Sequence, residues 1–262
     1  MTTATAARGD MPLGDHLSEA RTRAVRAAVA LAIALVVGYF LSEQILDLLR
    51  TPIEQIAESR DASLNYDSVT GAFDLRLRIA LVSAIVLSSP VWLFELFRFL
   101  APGLTRKEKR YTFGYALTAL ALFATGCVLG YILFPHMVEL LASFASEEDS
   151  TILAASTYVD FVLKTVLATG IAFVLPVVIV LLNALGVISA ATVRRSWRFA
   201  VVAIVLFSAM VTPAADVLSM FLVALPMSAL FAAALLLTNL HDRRAARRVV
   251  AADAATTPAL AA

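Results

Sequence analysis

Six apolar runs, most of them long enough to cross a bilayer as a helix, limit this chain more than any other feature. They cover about Ala24–Leu41, Ile79–Phe97, Phe113–Phe134, Phe161–Leu185, Phe199–Val211 and Val217–Leu240. A hydrocarbon core of about 30 Å takes roughly 20 helical residues to span. Inside it every backbone N–H and C=O must be paired within the segment, so the runs are read as helices and the fold class as all-α, polytopic. Composition agrees. Hydrophobic residues make up 60% of the chain and charged residues 16%, against roughly 45–50% and 25% in soluble domains. Lys164, near the start of the fourth run, is long enough to reach the interface. The fifth run is short: Pro213 ends it, and thirteen residues at about 1.5 Å each reach roughly 20 Å. Such a segment thins the bilayer around it or packs away from lipid.

The cations set the orientation. With the amino terminus inside, the inner segments hold Arg8, Arg21, Arg23, Arg26, Arg98, Arg106, Lys107, Lys109, Arg110, Arg194, Arg195, Arg198, Arg243, Arg244, Arg247 and Arg248, which is 16 of the 21 basic residues. Arg50, Arg60, Arg76, Arg78 and Lys164 remain, while the outer segments carry acids such as Glu43, Asp47, Glu54, Glu58, Asp61, Asp67, Glu147, Glu148 and Asp149. The positive-inside rule then puts both termini on the cytoplasmic face.

Residues 1–240 read as a single six-span membrane domain, and 241–262 as a basic, then disordered, cytoplasmic tail. The connection from Ser42 to Ala72 is long, and apolar residues at helical spacing over Leu49–Ile56 predict a short amphipathic helix on the outer face. A second outer loop, Ala142–Tyr158, is acidic. Pro90, Pro135, Pro176 and Pro226 lie in or at the ends of spans. Each removes a backbone hydrogen bond, so the expected bundle is curved and cup-like.

Enzymatic constellations are missing. Cys127 is the single cysteine and lies in an apolar run, so no disulfide or cysteine metal site arises within the chain. His16, His136 and His241 lie near span ends and form no ligand pair, and no glycine-rich phosphate loop occurs. Neither metal, cofactor nor catalytic group is expected, and a net charge of +1 gives no reason to expect nucleic acid. A secondary transporter of a small solute is the alternative class. It would place charged groups near the bilayer midplane, often within inverted repeats. Here Glu95 is the one acid near a span interior, toward the cytoplasmic end of the second run, and no internal repeat is visible.

Two other carboxylates sit among cations. Glu19 lies in Asp15-His16-Leu17-Ser18-Glu19-Ala20-Arg21-Thr22-Arg23, and Glu108 in Arg106-Lys107-Glu108-Lys109-Arg110. One reading is local: Glu19 pairs with Arg23 one helical turn on, and Glu108 neutralises its neighbours. The other is that both await a cationic ligand at the inner surface.

The motif His16-Leu17-x-Glu19-x-Arg21-x-Arg23 before the first span resembles the opening signature of the TatC family, the multispanning subunit of the twin-arginine protein translocase. Ser88-Ser89-Pro90, then Phe99-Leu100-Ala101-Pro102-Gly103-Leu104 and Glu108-Lys109-Arg110, resemble its second signature. Tyr131-Ile132-Leu133-Phe134-Pro135, Phe173-Val174-Leu175-Pro176 and Thr212-Pro213 with Asp216 extend the likeness from about Pro12 to Leu240.

The resemblance implies a receptor in the bacterial cytoplasmic (inner) membrane. In it Glu19 and Glu108 bind the paired arginines of a signal peptide, in a site that takes in His16, Leu17, Arg21, Phe99, Lys109 and Arg110. A planar guanidinium matches a carboxylate through two parallel hydrogen bonds where lysine offers a point charge. Arg21, Lys109 and Arg110 would repel ligands with too few contacts, and Phe99 would pack on the apolar part of the peptide. The resemblance also implies TatA- and TatB-type single-span partners, a multi-copy complex, folded cargo proteins and energy from the proton gradient. Pro52 and Asp216 would help the outer side close and engage partners, with Tyr131 and Pro176 as structural positions. A loop turn, an exposed aspartate and an interfacial aromatic are equally good readings of Pro52, Asp216 and Tyr131. Two departures stand out: Val174 where the family often has a polar residue, for which Thr169 or Asn183 would be substitutes, and a turn before Asp216 that is one residue longer than usual.

Overall fold

The computed structural model describes residues 13–49, 64–65, 70–100, 106–142, 153–212 and 217–256. The elements are α1 (Leu13–Phe40), α2 (42–49), β1 (Leu64–Asn65), α3 (Gly71–Leu87), α4 (Ser89–Leu100), α5 (Arg106–Ala142), β2 (Leu153–Ala154), α6 (Ala155–Ala184), α7 (Ala190–Arg195), α8 (Trp197–Val211) and α9 (Val217–Thr256). Apart from a two-residue parallel pairing of β1 with β2, the described residues are helical or in turns between helices. Contacts divide the chain into two compact units: 1–49 with 66–120, and 50–65 with 121–262.

Among the described residues four stretches are long and apolar enough to cross a membrane: Leu17–Phe40, Thr112–Met137, Ser156–Ala184 and Val217–Arg247. The second expected span, 79–97, is instead the bent pair α3 and α4, which qualify together and meet at 52°. The fifth is α8, apolar but 15 residues long, or about 22 Å. The connection expected to leave the helix at Ser42 is helical through 49. The rest of the amphipathic helix expected over Leu49–Ile56 lies outside the described residues. At the other end α9 runs to Thr256, well into the stretch read as disordered. The reason is local: Ala245, Ala246, Ala251, Ala252 and Ala254 are strong helix formers and continue the helix without a break.

In the first unit α1 packs along α3 and α4. Leu75, Ile79, Ala80 and Ala84 of α3 and Leu93 and Phe97 of α4 are buried. Close approach is set by Gly38, where a Cβ would stand 2.8 Å from the Ala80 carbonyl oxygen. Val25, Val29, Ile33, Val36 and Phe40 form a helical stripe on α1 that stays exposed, the face such a helix turns to lipid. The break between α3 and α4 follows from Pro90, which has no N–H for the Val86 carbonyl and whose ring crowds the turn before it. Side chains cover the neighbouring Ile85 carbonyl: the Trp92 indole N–H donates to Ile85 O at 3.0 Å, and the Ser88 hydroxyl at 3.4 Å.

In the second unit α6 and α8 both pack on α9, around Met137, Phe173, Ile204, Val223 and Met227. The α5–α6 seam is tight. A Cβ at Gly126 would lie 2.8 Å from Thr169 O and 2.9 Å from Gly170 Cα, and one at Gly130 3.0 Å from Val166 Cα. Small residues four apart allow this backbone approach, the usual way helices associate in lipid. Gly186 ends α6 at φ +74. Its N–H bonds Asn183 O, and the N–H of Val187 reaches back to Leu182 O, both at 2.9 Å, the paired bonds of a left-handed helix stop.

Candidate functional site

The first turns of α1 and the second half of α4 bring four charged side chains together. Arg23 donates to Glu19 one turn earlier, from Nε at 3.1 Å and also from Nη2, both to the same carboxylate oxygen. Its Nη1 faces Glu95 Oε2 across the helix interface at 3.3 Å. Arg26, one turn on, approaches Glu95 Oε1 at 3.5 Å. The order along this face is Glu19, Arg23, Glu95, Arg26, with two charges of each sign.

Local sequence explains the geometry. Glu19, Arg23 and Arg26 fall at i, i+4 and i+7 on one face of α1. Glu95 is buried like Leu93 and Phe97, but two residues from each it lies across α4 from that pair, and among the described residues it is the one charged residue that is buried. Exposure is graded: the side chains of Glu95 and Arg23 are 10% and 13% accessible, Glu19 27% and Arg26 58%. A buried carboxylate is tolerated because two guanidinium groups neutralise it. Leu17 and Arg21 on α1 are exposed, and Phe99 at the end of α4 is half-buried. Arg98 stacks over the Phe94 ring at 5.5 Å, and Phe94 meets Phe113 edge-on at 6.0 Å between centroids.

Of the expected site residues, the structure thus places Glu19, Leu17 and Arg21 on α1 and Phe99 on α4. The His16 backbone is in α1, and Glu108, Lys109 and Arg110 are in the first turns of α5. The side chains of these four lie outside the described residues, as do Pro52 and Asp216 entirely. Tyr131 is half-buried in α5. Pro176 lines an apolar cavity of about 270 Å³ with Leu175, Ile204, Phe207, Met227 and Phe231.

Two residues weighed for the polar role absent at Val174 are committed elsewhere. Val174 is itself buried. The Thr169 hydroxyl donates to Thr165 O at 2.7 Å. The Asn183 amide donates to Ile188 O and to Asp242 Oδ1, both at 3.0 Å, while the Ala190 N–H donates to Asp242 Oδ2 at 2.8 Å. That set ties α6, the start of α7 and α9 together.

Glu95 is the site residue that motif matching passed over. Its signal was present: an acid between Phe94 and Leu96, in the span that must pack beside the arginines of α1.

Residues 15–226 match the sequence profile of TatC, the Sec-independent protein translocase protein. The chain is 40% identical over 249 residues to the Sec-independent protein translocase protein TatC of Xylanimonas cellulosilytica, covering 94% of this chain and 90% of that one. It is 36% identical to the TatC of Rothia mucilaginosa, covering 91% and 83%. Its fold matches a crystal structure of the twin-arginine translocase receptor TatC in DDM with a TM-score of 0.77 at 27% identity, over 85% of this chain and 99% of that one. With this profile, these relatives and this arrangement of membrane-spanning helices, the chain belongs to the TatC family: it is a polytopic membrane component of the Sec-independent protein translocase.

Proposed function

We propose that this chain is the receptor subunit of twin-arginine translocation: it binds the paired arginines of signal peptides on the cytoplasmic side and gathers single-span partners to export folded proteins. It spans the cytoplasmic membrane six times with both termini inside. α3 and α4 together form the second span and α8 the short fifth. The observation that carries the reading is that the partly exposed Glu19 carboxylate already holds a guanidinium, that of Arg23, through Nε and Nη2. A carboxylate that seats one arginine side-on can seat another. Glu108 supplies the second acceptor, so that two adjacent arginines are read together, with Leu17, Arg21, Phe99, His16, Lys109 and Arg110 lining the approach.

TatA- and TatB-type single-span proteins are the partners of this reading. The short α8 supports it, since its exposed Phe199, Val202, Leu206 and Met210 offer an apolar ridge where lipid is already mismatched. Pro52 and Asp216 act on the outer side, with Tyr131 and Pro176 shaping the bundle. A solute transporter is less well supported, because the buried Glu95 is tied to arginines rather than facing a midplane cavity.

The test is binding of a twin-arginine signal peptide, against its twin-lysine version, to the full-length protein in nanodiscs. Each charge-assisted pair contributes about 1.5–3 kcal/mol, so Glu19→Gln and Glu108→Lys should each weaken binding at least about tenfold with membrane insertion unchanged. Equal affinity for the two peptides, or an unaffected Glu19→Gln protein, would refute the receptor reading.

A further inference from the structure

We infer that Glu95 is a positioning residue that clears Glu19 for its ligand: it holds Arg23 and is the second carboxylate to which Arg23 retreats when a guest guanidinium arrives. The inference rests on Glu19 being a peptide-binding residue, and it concerns how an occupied acceptor becomes available.

The problem it answers is visible in the geometry. Glu19 is engaged by Arg23, so an incoming arginine meets a carboxylate that already has a partner and a cation beside it. Simple displacement would leave the Arg23 guanidinium, 13% accessible, next to a second cation in a poorly hydrated site, which is costly. Glu95 removes that cost. Its Oε2 lies 3.3 Å from Arg23 Nη1, so a small side-chain rotation completes the transfer while Nη1 keeps its contact. Arg26, the most exposed member, is the group that can yield to water as Arg23 settles on Glu95.

Charge balance argues the same way. The four resident groups sum to zero. A guest guanidinium makes the cluster +1, against +2 if the Glu95 carboxylate were absent. Without the Glu95 carboxylate the resident sum is already +1 and Arg23 has Glu19 as its remaining acidic partner in the network. The resident then competes with the guest for one carboxylate.

The assay is peptide affinity across a small set of variants in nanodiscs, with the twin-arginine and twin-lysine peptides as probes. Glu95→Gln, nearly isosteric, should weaken twin-arginine binding on the order of tenfold, the effect of one lost charged partner. Adding Arg23→Gln to that protein removes the competing resident and should bring affinity back to within about threefold of wild type. A merely structural Glu95 would instead lower the thermal midpoint of Glu95→Gln in step with its affinity, and the double variant would restore both together. Wild-type affinity in Glu95→Gln, or no recovery in the double variant, would overturn the inference. Glu19→Gln distinguishes the two levels: if it loses binding while Glu95→Gln does not, the receptor reading stands and the role of Glu95 falls. If Glu19→Gln binds normally, both fall.

Discussion

Two polar corners of this molecule solve the same problem in different ways. In the first unit, α1 meets α4 through Glu19, Arg23, Glu95 and Arg26, all side chains and all charged. In the second, α6, α7 and α9 meet through Asn183, Asp242 and the backbone N–H of Ala190. A backbone amide at the start of a helix has no alternative conformation to offer, so the second corner is a fixed joint. Long charged side chains of matched sign can trade partners at little cost, so the first corner is suited to admitting a ligand that resembles one of its own members. Pairing by itself does not mark a binding site; exchangeable pairing does.

Four substitutions break or sharpen this contrast. The largest effect belongs to the fixed half of the molecule. Gly126→Val would drive a branched side chain into Thr169 O and Gly170 Cα, which are backbone and cannot give way. A loss of about 3 kcal/mol is expected, read as a sharp fall in the yield of folded protein and in its thermal midpoint in detergent. Next comes Asp242→Ala, which strips the Ala190 N–H and the Asn183 amide of their acceptor. It should cost about 2 kcal/mol and lower the midpoint by roughly 6 °C, with leader-peptide affinity unchanged. If affinity fell as far as in Glu95→Gln, the two corners would not be separable.

Glu95→Gln keeps an amide oxygen for Arg23 and leaves Glu19 as its counter-charge, so it should show the opposite balance, lowering the midpoint by less than Asp242→Ala does while peptide binding weakens. A midpoint drop as large as that of Asp242→Ala would mean that the charged corner is a joint as well. The smallest effect is expected at Thr165, whose buried hydroxyl has no hydrogen-bond partner among the described residues. Thr165→Val should be neutral or stabilising by up to about 1 kcal/mol, measured as an unchanged or raised midpoint. A clear loss would show that the hydroxyl is used.

Much of this was legible in the residues. Apolar runs located the helices because a helix in lipid has to be apolar over its whole length, and α8 read as short because Pro213 bounds it. Glu19 and its turn-mate Arg23 were visible from spacing alone. What escaped was everything that depends on which helix faces which. Glu95 reads as an isolated acid until α4 lies against α1. Gly126 and Gly130 read as ordinary glycines until α6 presents Gly170 to the first and Val166 to the second. The break at Ser88 sits two residues before Pro90, because proline withholds a bond from the turn before it and its ring crowds that turn. The helical tail through Thr256 was missed by weighing the alanines as low complexity rather than as helix formers.

The bend between α3 and α4 has a mechanical consequence. Trp92 and Ser88 already cap the Ile85 carbonyl beside the break, so α4 can pivot there with that carbonyl still paired. Seen from Ser88, α4 is a stiff lever with Glu95 on it about 10 Å from the fulcrum. A swing of roughly 6° therefore carries that carboxylate about 1 Å, which is the scale on which an ion pair is made or broken.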